Sequence, residues 1–221
     1  MTSNNLTPHI LQPRESRWIQ LRQRPVIAWF TGLSGSGKSS IADAVDRTLT
    51  ARGRHTVVLD GDTLRNGLNR DLGFSPKDRD ENVRRAAEAA ALMAEAGLIV
   101  LVSLISPLRA ERANARRIAG DLPFMDVFVS TPLPVCETRD PKGLYRRART
   151  GQIPDFTGIS APYEPPGNPD LTIVTENRSI AESARPLVDV LLGLSAWPGG
   201  AAARRAPVAG TRPGILAPAA V

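Results

Sequence analysis

The chain has 221 residues, 42% of them hydrophobic, enough to bury one good-sized core and too few for several ordinary domains. Its formal charge of +6 sits at the two ends: residues 1–25 and 196–221 each carry a net +3, leaving 26–195 neutral and without a field to attract a nucleic acid. No apolar run reaches membrane-span length, and Met1 to Pro13 lacks the charged start and apolar centre of a secretion signal, so no membrane partner is expected.

Val26-Ile27-Ala28-Trp29-Phe30 reads as a short buried strand. Directly after it, Gly32-Leu33-Ser34-Gly35-Ser36-Gly37-Lys38-Ser39 fits the phosphate-loop pattern G-x-x-x-x-G-K-[ST]. Ile41, Ala44, Val45 and Leu49 then share one face of a helix over 40–49. Strand, glycine loop and helix N-terminus together make an anion cradle, in which backbone N–H groups and the helix dipole face phosphate oxygens. Lys38 is expected to reach the β- and γ-phosphates of a nucleoside triphosphate, and the Ser39 hydroxyl to complete a Mg²⁺ shell.

A second strand, Thr56 to Leu59, ends in Asp60-Gly61-Asp62. An alanine-rich helix from Arg84 to Ala96 stops at Gly97, and Leu98 to Leu104 is a continuous apolar run typical of a strand covered on both faces. A basic helix over 108–119, strands at 125–129 and 171–174, and an amphipathic helix over 179–194 follow. Strands alternating with helices predict an α/β, three-layer phosphate-loop fold around a five-stranded parallel sheet. Residues 139–170 hold many charges, several glycines and six prolines and are expected to form an irregular, mobile lid. The expected organisation is thus an extension at 1–25, a domain at 26–195, and an Ala/Pro/Gly/Arg tail at 196–221 too poor in large apolar residues to fold.

Cys136 is the only cysteine, so no internal disulfide can form; it reads as a small buried hydrophobe in a reducing, cytoplasmic compartment. His9 and His55 are isolated, which argues against a histidine metal site or triad. A phosphate loop alone leaves ATPases, GTPases and small-molecule kinases open, and the lack of an Asn-Lys-x-Asp base-reading motif lowers the GTPase reading. An acidic strand end, several arginines and an arginine-bearing lid favour a kinase for an anionic substrate, because phosphoryl transfer is mostly positioning and charge neutralisation.

Beyond the phosphate loop, the chain resembles the adenylylsulfate kinase family (adenosine 5′-phosphosulfate kinases). The resemblance rests on Phe30-Thr31 with the loop, Asp60-Gly61-Asp62 with Arg65, Gly73-Phe74-Ser75 and Asp78-Arg79, and Glu81-Asn82 with Arg84-Arg85. It continues through Ser106-Pro107 with Arg109, Arg139-Asp140-Pro141-Lys142-Gly143-Leu144-Tyr145, Phe156-Thr157-Gly158-Ile159 and Pro162-Tyr163-Glu164, over about residues 26–178. Such a resemblance implies Mg²⁺-dependent transfer of the ATP γ-phosphate to the 3′-hydroxyl of adenylyl sulfate. It also implies a tendency to homodimers, with any sulfurylase met in trans because the chain is too short to include one.

Implied roles fall on matching positions. Residues 32–39 with Arg139 hold ATP; Ser39 and Asp60 hold Mg²⁺; Asp62 orients or deprotonates the 3′-hydroxyl. Arg65, Arg79, Asn82, Ile105 and Ser106 contact the substrate nucleotide, and Phe74 and Phe156 stack with Arg79 around its adenine. Lys142 is a closing cation on the lid. Asp60 and Asp62 also admit a plainer reading, a turn with aspartate as a helix cap. Arg109 offers a further planar charge suited to phosphate or sulfate. Arg84 has an alternative as the i,i+4 partner of Glu88, and Tyr145, Arg146 and Arg147 read as an ordinary helix surface. The family marks the serine at 106 as a phosphoenzyme candidate, whereas a loop serine with no base in sequence is a weak nucleophile. Ser40, Leu104 and Leu108 depart from the commoner family residues without removing a chemical group. The rival readings are a kinase for another small alcohol, a nucleotide-binding subunit without turnover, and a nucleic-acid binder acting through its basic ends.

Overall fold

The computed structural model describes residues 12–198; the tail expected to be disordered lies, from residue 199 on, outside the described residues, as do residues 1–11. In chain order the elements are α1 (Arg14–Leu21), β1 (Val26–Thr31), α2 (Lys38–Ala51), β2 (Thr56–Asp60), α3 (Gly61–Asn66) and α4 (Pro76–Glu95). Then come β3 (Ile99–Ser103), α5 (Arg109–Ala119), β4 (Phe124–Ser130), α6 (Leu133–Arg139), α7 (Leu144–Arg149), β5 (Leu171–Val174) and α8 (Ile180–Leu194). The strands form one five-stranded sheet in the order β2–β3–β1–β4–β5, with every neighbouring pair parallel.

β1 and β3 are buried at every position because both lie inside the sheet with helices on each face. On one face Val26, Ala28 and Phe30 meet Ile41, Val45 and Leu49 of α2 and Leu187 and Leu191 of α8. On the other, Ile27, Trp29, Val100 and Val102 meet a stripe of small side chains, Ala86, Ala90 and Ala94 of α4 with Ala115 and Ala119 of α5. Small residues let those helices come close to the sheet, and the Trp29 indole fills the space they leave while stacking on Phe124 at 5.9 Å between centroids. Parallel strands point their C-terminal ends the same way, so Thr31, Asp60, Ser103 and Ser130 open onto one edge.

Several elements differ from the sequence expectation. α4 begins at Pro76, eight residues before Arg84, because Ser75 caps it by accepting from the Asp78 N–H at 3.2 Å and proline suits a first helical position. Its first two turns are polar and carry no apolar period. α1, within the N-terminal segment, is docked at the far edge of the sheet: the Trp18 indole donates to the Glu95 carbonyl (3.0 Å) and Arg14 pairs with Asp121. The buried Gln23 amide donates to the carbonyls of His55 (2.9 Å) and Gly97 (2.8 Å) and accepts from the His55 N–H (2.9 Å). Residues 139–170 include α7 and take part in a small core, in which Cys136, Tyr145, Ala148 and Phe156 pack with Leu33 of the phosphate loop. Cys136 is fully buried, as a small hydrophobe would be.

Candidate active site

The phosphate loop joins β1 to α2 at the C-terminal edge of the sheet. Gly32 is obligatory there: its φ is 150°, and a Cβ would come within 2.7 Å of the Val129 carbonyl oxygen and 3.0 Å of Ser36 Oγ. The loop curls so tightly that Lys38 Nζ donates back to the carbonyls of Gly32 (2.9 Å) and Leu33 (2.8 Å), with Ser36 Oγ at 3.5 Å. Burial lowers the Lys38 pKa from its ordinary 10.5 to about 8, partly countered by the charges of Asp60 and Asp62. Arg139, at the end of α6, donates to Thr175 Oγ1 and to the Thr175 carbonyl (both 3.0 Å), which spans the mouth of the same cleft of about 500 Å³.

Ser39 Oγ donates to Asp60 Oδ2 at 2.6 Å and lies 3.2 Å from Ser103 Oγ. Asp60 also caps α3, its Oδ1 accepting from the Asp62 N–H at 3.0 Å, so the plainer capping role and a place beside the loop coexist in one side chain. Hydroxyl and carboxylate oxygens side by side are the hard donors Mg²⁺ prefers. Among the described residues no group of three or more His, Cys, Asp or Glu side chains converges. Across the cleft Lys142, on the lid, forms an ion pair with Asp62; both side chains are more than half exposed.

Beyond Asp62 the chain gathers a second set of groups. The Arg65 guanidinium lies over the Phe74 ring at 4.3 Å and donates to the Gly73 carbonyl (2.8 Å). Burial and the nearby Arg79 cation press the Arg65 pKa down. Arg79 donates to the Phe74 carbonyl and to Thr157 Oγ1, each at 2.8 Å, and to the Asp155 carbonyl. Two cations whose donors end on neutral oxygens make a place that favours an anion. Asn82 is buried beside them and its Oδ1 accepts from Asn69 Nδ2 at 3.0 Å.

The expected stack of Phe74 and Phe156 about Arg79 takes a different form. Phe74 is 66% exposed under Arg65, whereas Phe156 is 9% exposed and packs edge-on against Tyr145 at 5.0 Å. Ile105 is half-buried, its carbonyl accepting from Thr31 Oγ1 (2.8 Å). Ser106 has a φ of 36° and is 2% exposed, and its Oγ accepts the Trp29 indole N–H at 3.1 Å. Arg109 is not brought to this cleft: its Nε donates to the Pro165 carbonyl (3.0 Å) on the far side of the Ser106 turn. Arg84 pairs with Glu88 (3.4 Å) and Glu81 (2.7 Å), and Arg85 pairs with Asp71 and Glu81, so both serve the surface of α4.

Tyr145 corrects the expectation of an ordinary helix surface. It is 2% exposed, its hydroxyl donates to the Ser34 carbonyl of the phosphate loop at 2.9 Å, and burial raises its pKa. The available signal was the apolar i,i+3 pair Tyr145 and Ala148 inside an otherwise basic helix. Gly158, on the lid, has a φ of 89°, and a Cβ there would come within 2.9 Å of the Leu33 side chain. The lid thus rests on the phosphate loop at two points.

The family model for adenylylsulphate kinase matches residues 24–174, well over half of the chain. This chain belongs to the adenylylsulphate kinase family. The adenylyl-sulfate kinase of Shewanella pealeana is 53% identical over 181 residues, covering 82% of this chain and 88% of its own length. The bifunctional enzyme NodQ of a Rhizobium species is 61% identical over 153 residues, 69% of this chain, of which this chain spans 24%. Among solved structures, the Mycobacterium tuberculosis APS kinase CysC in complex with AMPPNP and APS has 54% identity and a TM-score of 0.74, covering 76% of this chain and 98% of that one. The chain therefore spans about a quarter of the NodQ enzyme and nearly all of the solved Mycobacterium chain. No helix among the described residues of this family member is long and apolar enough to cross a membrane.

Proposed function

We infer that this chain is an adenylyl-sulfate kinase, moving the γ-phosphoryl group of ATP to the 3′-hydroxyl of adenylyl sulfate and releasing ADP and 3′-phosphoadenylyl sulfate. The observation that carries this reading is a cleft lined by the phosphate loop, Asp60, Asp62, Arg139 and Lys142, with Arg65 three residues beyond Asp62 on α3, where it lies over Phe74 and Arg79 donates to the Phe74 carbonyl. Identity of 54% to a kinase solved with AMPPNP and APS supports it.

In this mechanism Lys38 leaves the carbonyls of Gly32 and Leu33 for the β- and γ-phosphate oxygens, and becomes fully charged there because the phosphates stabilise the ammonium. Ser39 and Asp60 would hold Mg²⁺, which neutralises phosphate charge when bound. Asp62 exchanges its ion pair with Lys142 for the 3′-hydroxyl, aligning it and accepting its proton as the phosphoryl group departs from ADP. Lys142 is then free to neutralise charge on the moving group, and Arg139 closes over the nucleotide. Arg65 and Phe74 offer a cation and a ring face to the acceptor nucleotide, with Arg79 and Asn82 behind them. Ser106 contacts the acceptor without becoming phosphorylated: its hydroxyl is buried and already accepts the Trp29 N–H.

The fully buried single thiol suits a reducing, cytoplasmic setting, and we expect a homodimer that meets any sulfurylase in trans. The test is product analysis after incubation with Mg²⁺ and ATP labelled at the γ-phosphate. Label at the 3′-position of adenylyl sulfate is the expected result; ATP binding with no transfer to this acceptor overturns the reading.

A further inference from the structure

Pro162-Tyr163-Glu164 is part of the family pattern, yet the transfer chemistry above leaves it unused. It forms the C-terminal stem of the lid, and the structure spends a buried guanidinium on it. Arg112, on the inward face of α5, is 4% exposed; one terminal nitrogen donates to the Ser106 carbonyl and the other to the Glu164 carbonyl, each at 2.6 Å. The same two segments are joined a second way. Glu164 donates its N–H to the Pro107 carbonyl (2.9 Å), and its Oε2 accepts the Arg109 N–H (2.8 Å). Tyr163 stacks on Phe128 at 6.4 Å, with its hydroxyl 3.1 Å from Thr31 Oγ1, the residue just before the phosphate loop.

Ser106 is held in left-handed backbone, which a residue with a side chain adopts only when its surroundings impose it. The groups that impose it are few: Arg112 and Thr31 on its carbonyl, and Trp29 on its hydroxyl. On the other side of the lid turn, Arg79 holds Asp155 and Thr157. Between these anchors residues 156–161 close on themselves, the Phe156 carbonyl accepting from the N–H groups of Ile159, Ser160 and Ala161. The wall of the acceptor side is therefore strung between two arginines, Arg79 at one end and Arg112 at the other. Lys38, Arg139 and Thr175, on the donor side, share no hydrogen bond with Arg112.

We propose that Arg112 is a positioning residue for the acceptor: by bridging the Ser106 and Glu164 carbonyls it sets the Ser106 turn and the lid stem together, so that adenylyl sulfate binding, and not ATP binding, depends on it. This rests on the acceptor reading given above. A lysine at 112 keeps the charge but loses the rigid planar fork whose two separate nitrogens fix the two carbonyls relative to each other.

The test measures steady-state kinetics for both substrates and thermal melting on the full chain, for wild type, Arg112→Lys and Arg112→Met. Arg116→Gln, one turn further along α5 at the outer edge where it pairs with Asp170, is the control and leaves both KM values as they were. The expected result is a loss of kcat/KM for adenylyl sulfate of about tenfold to a hundredfold in both Arg112 variants, with KM for ATP within about twofold of wild type. Unchanged kinetics overturn the proposal, as does a parallel loss for both substrates that follows the drop in melting temperature. If the methionine variant does not fold, the lysine variant decides by the same split. A wild-type enzyme that fails to phosphorylate adenylyl sulfate instead overturns the functional reading itself; wild-type turnover with unaffected variants overturns only the role of Arg112.

Discussion

The donor and acceptor sides of the cleft are built in opposite ways. On the donor side the phosphate loop is locked by its own backbone: Gly32 has no room for a side chain, Lys38 is buried on the loop's own carbonyls, and Tyr145 and Leu33 tie the loop to the lid. On the acceptor side Phe74 is 66% exposed, and the arginines end on carbonyls and a hydroxyl that a ligand can replace. On the proposed reading, the phosphate side is preformed, whereas the acceptor side has arginine donors and an exposed ring that a ligand would have to engage. Preorganisation on one side favours rate, and adaptability on the other favours recognition.

The sharpest way to break this contrast is Lys38→Ala, which should lower kcat on the order of 10³-fold while leaving KM for adenylyl sulfate nearly unchanged, as initial-rate assays can read. Phe74→Ala should do the reverse, raising KM for adenylyl sulfate about tenfold or more through lost stacking, with KM for ATP unmoved.

A pH series sharpens the donor side. With the Lys38 pKa near 8, ATP affinity should fall by up to about tenfold as pH rises from 7 to 9, and ATP binding should take up a proton near pH 8. Calorimetry in buffers of differing ionisation enthalpy measures that uptake; its absence would mean the lysine is already fully charged. The folded value lies below the 10.5 of an exposed lysine, so the unfolded chain holds the proton more tightly. Lys38 alone should therefore make the ligand-free protein more stable, not less, as pH rises from about 8 to 10.5. The smallest effect on turnover is expected for Ser106→Ala. It leaves the Trp29 N–H without its partner and should lower stability by about 1–2 kcal/mol in denaturant melts, yet keep most of kcat. Collapse of kcat would instead favour a phosphoserine.

The donor side was largely legible in the sequence because its geometry is local: loop, strand and helix are contiguous, and backbone groups do the work. The five strands were legible because interior parallel strands read as unbroken apolar runs. The residues assigned to the acceptor could be named from the sequence, but their arrangement could not. Spacing does not tell which of two long arginines lies over Phe74, and the structure gives that place to Arg65, with Arg79 turned to the lid. Arg112 reads in sequence as one more cation on a basic helix, since its partners are carbonyls 6 and 52 residues away. Tyr145 was hidden for the same reason: its partner, the Ser34 carbonyl, lies 111 residues back along the chain.

The bond from the Trp29 indole to Ser106 gives the enzyme an intrinsic optical reporter. The ring is fully buried in the central strand, and its N–H ends on Ser106, in the turn proposed to contact the acceptor. Trp18, by contrast, is bonded to Glu95 at the opposite edge of the sheet, far from any chemistry. Emission from Trp29 would respond to adenylyl sulfate against a constant background from Trp18 and from Trp197, which follows the Gln23–Ala196 bridge beside α1. Filling of the acceptor side can then be followed in real time without a label.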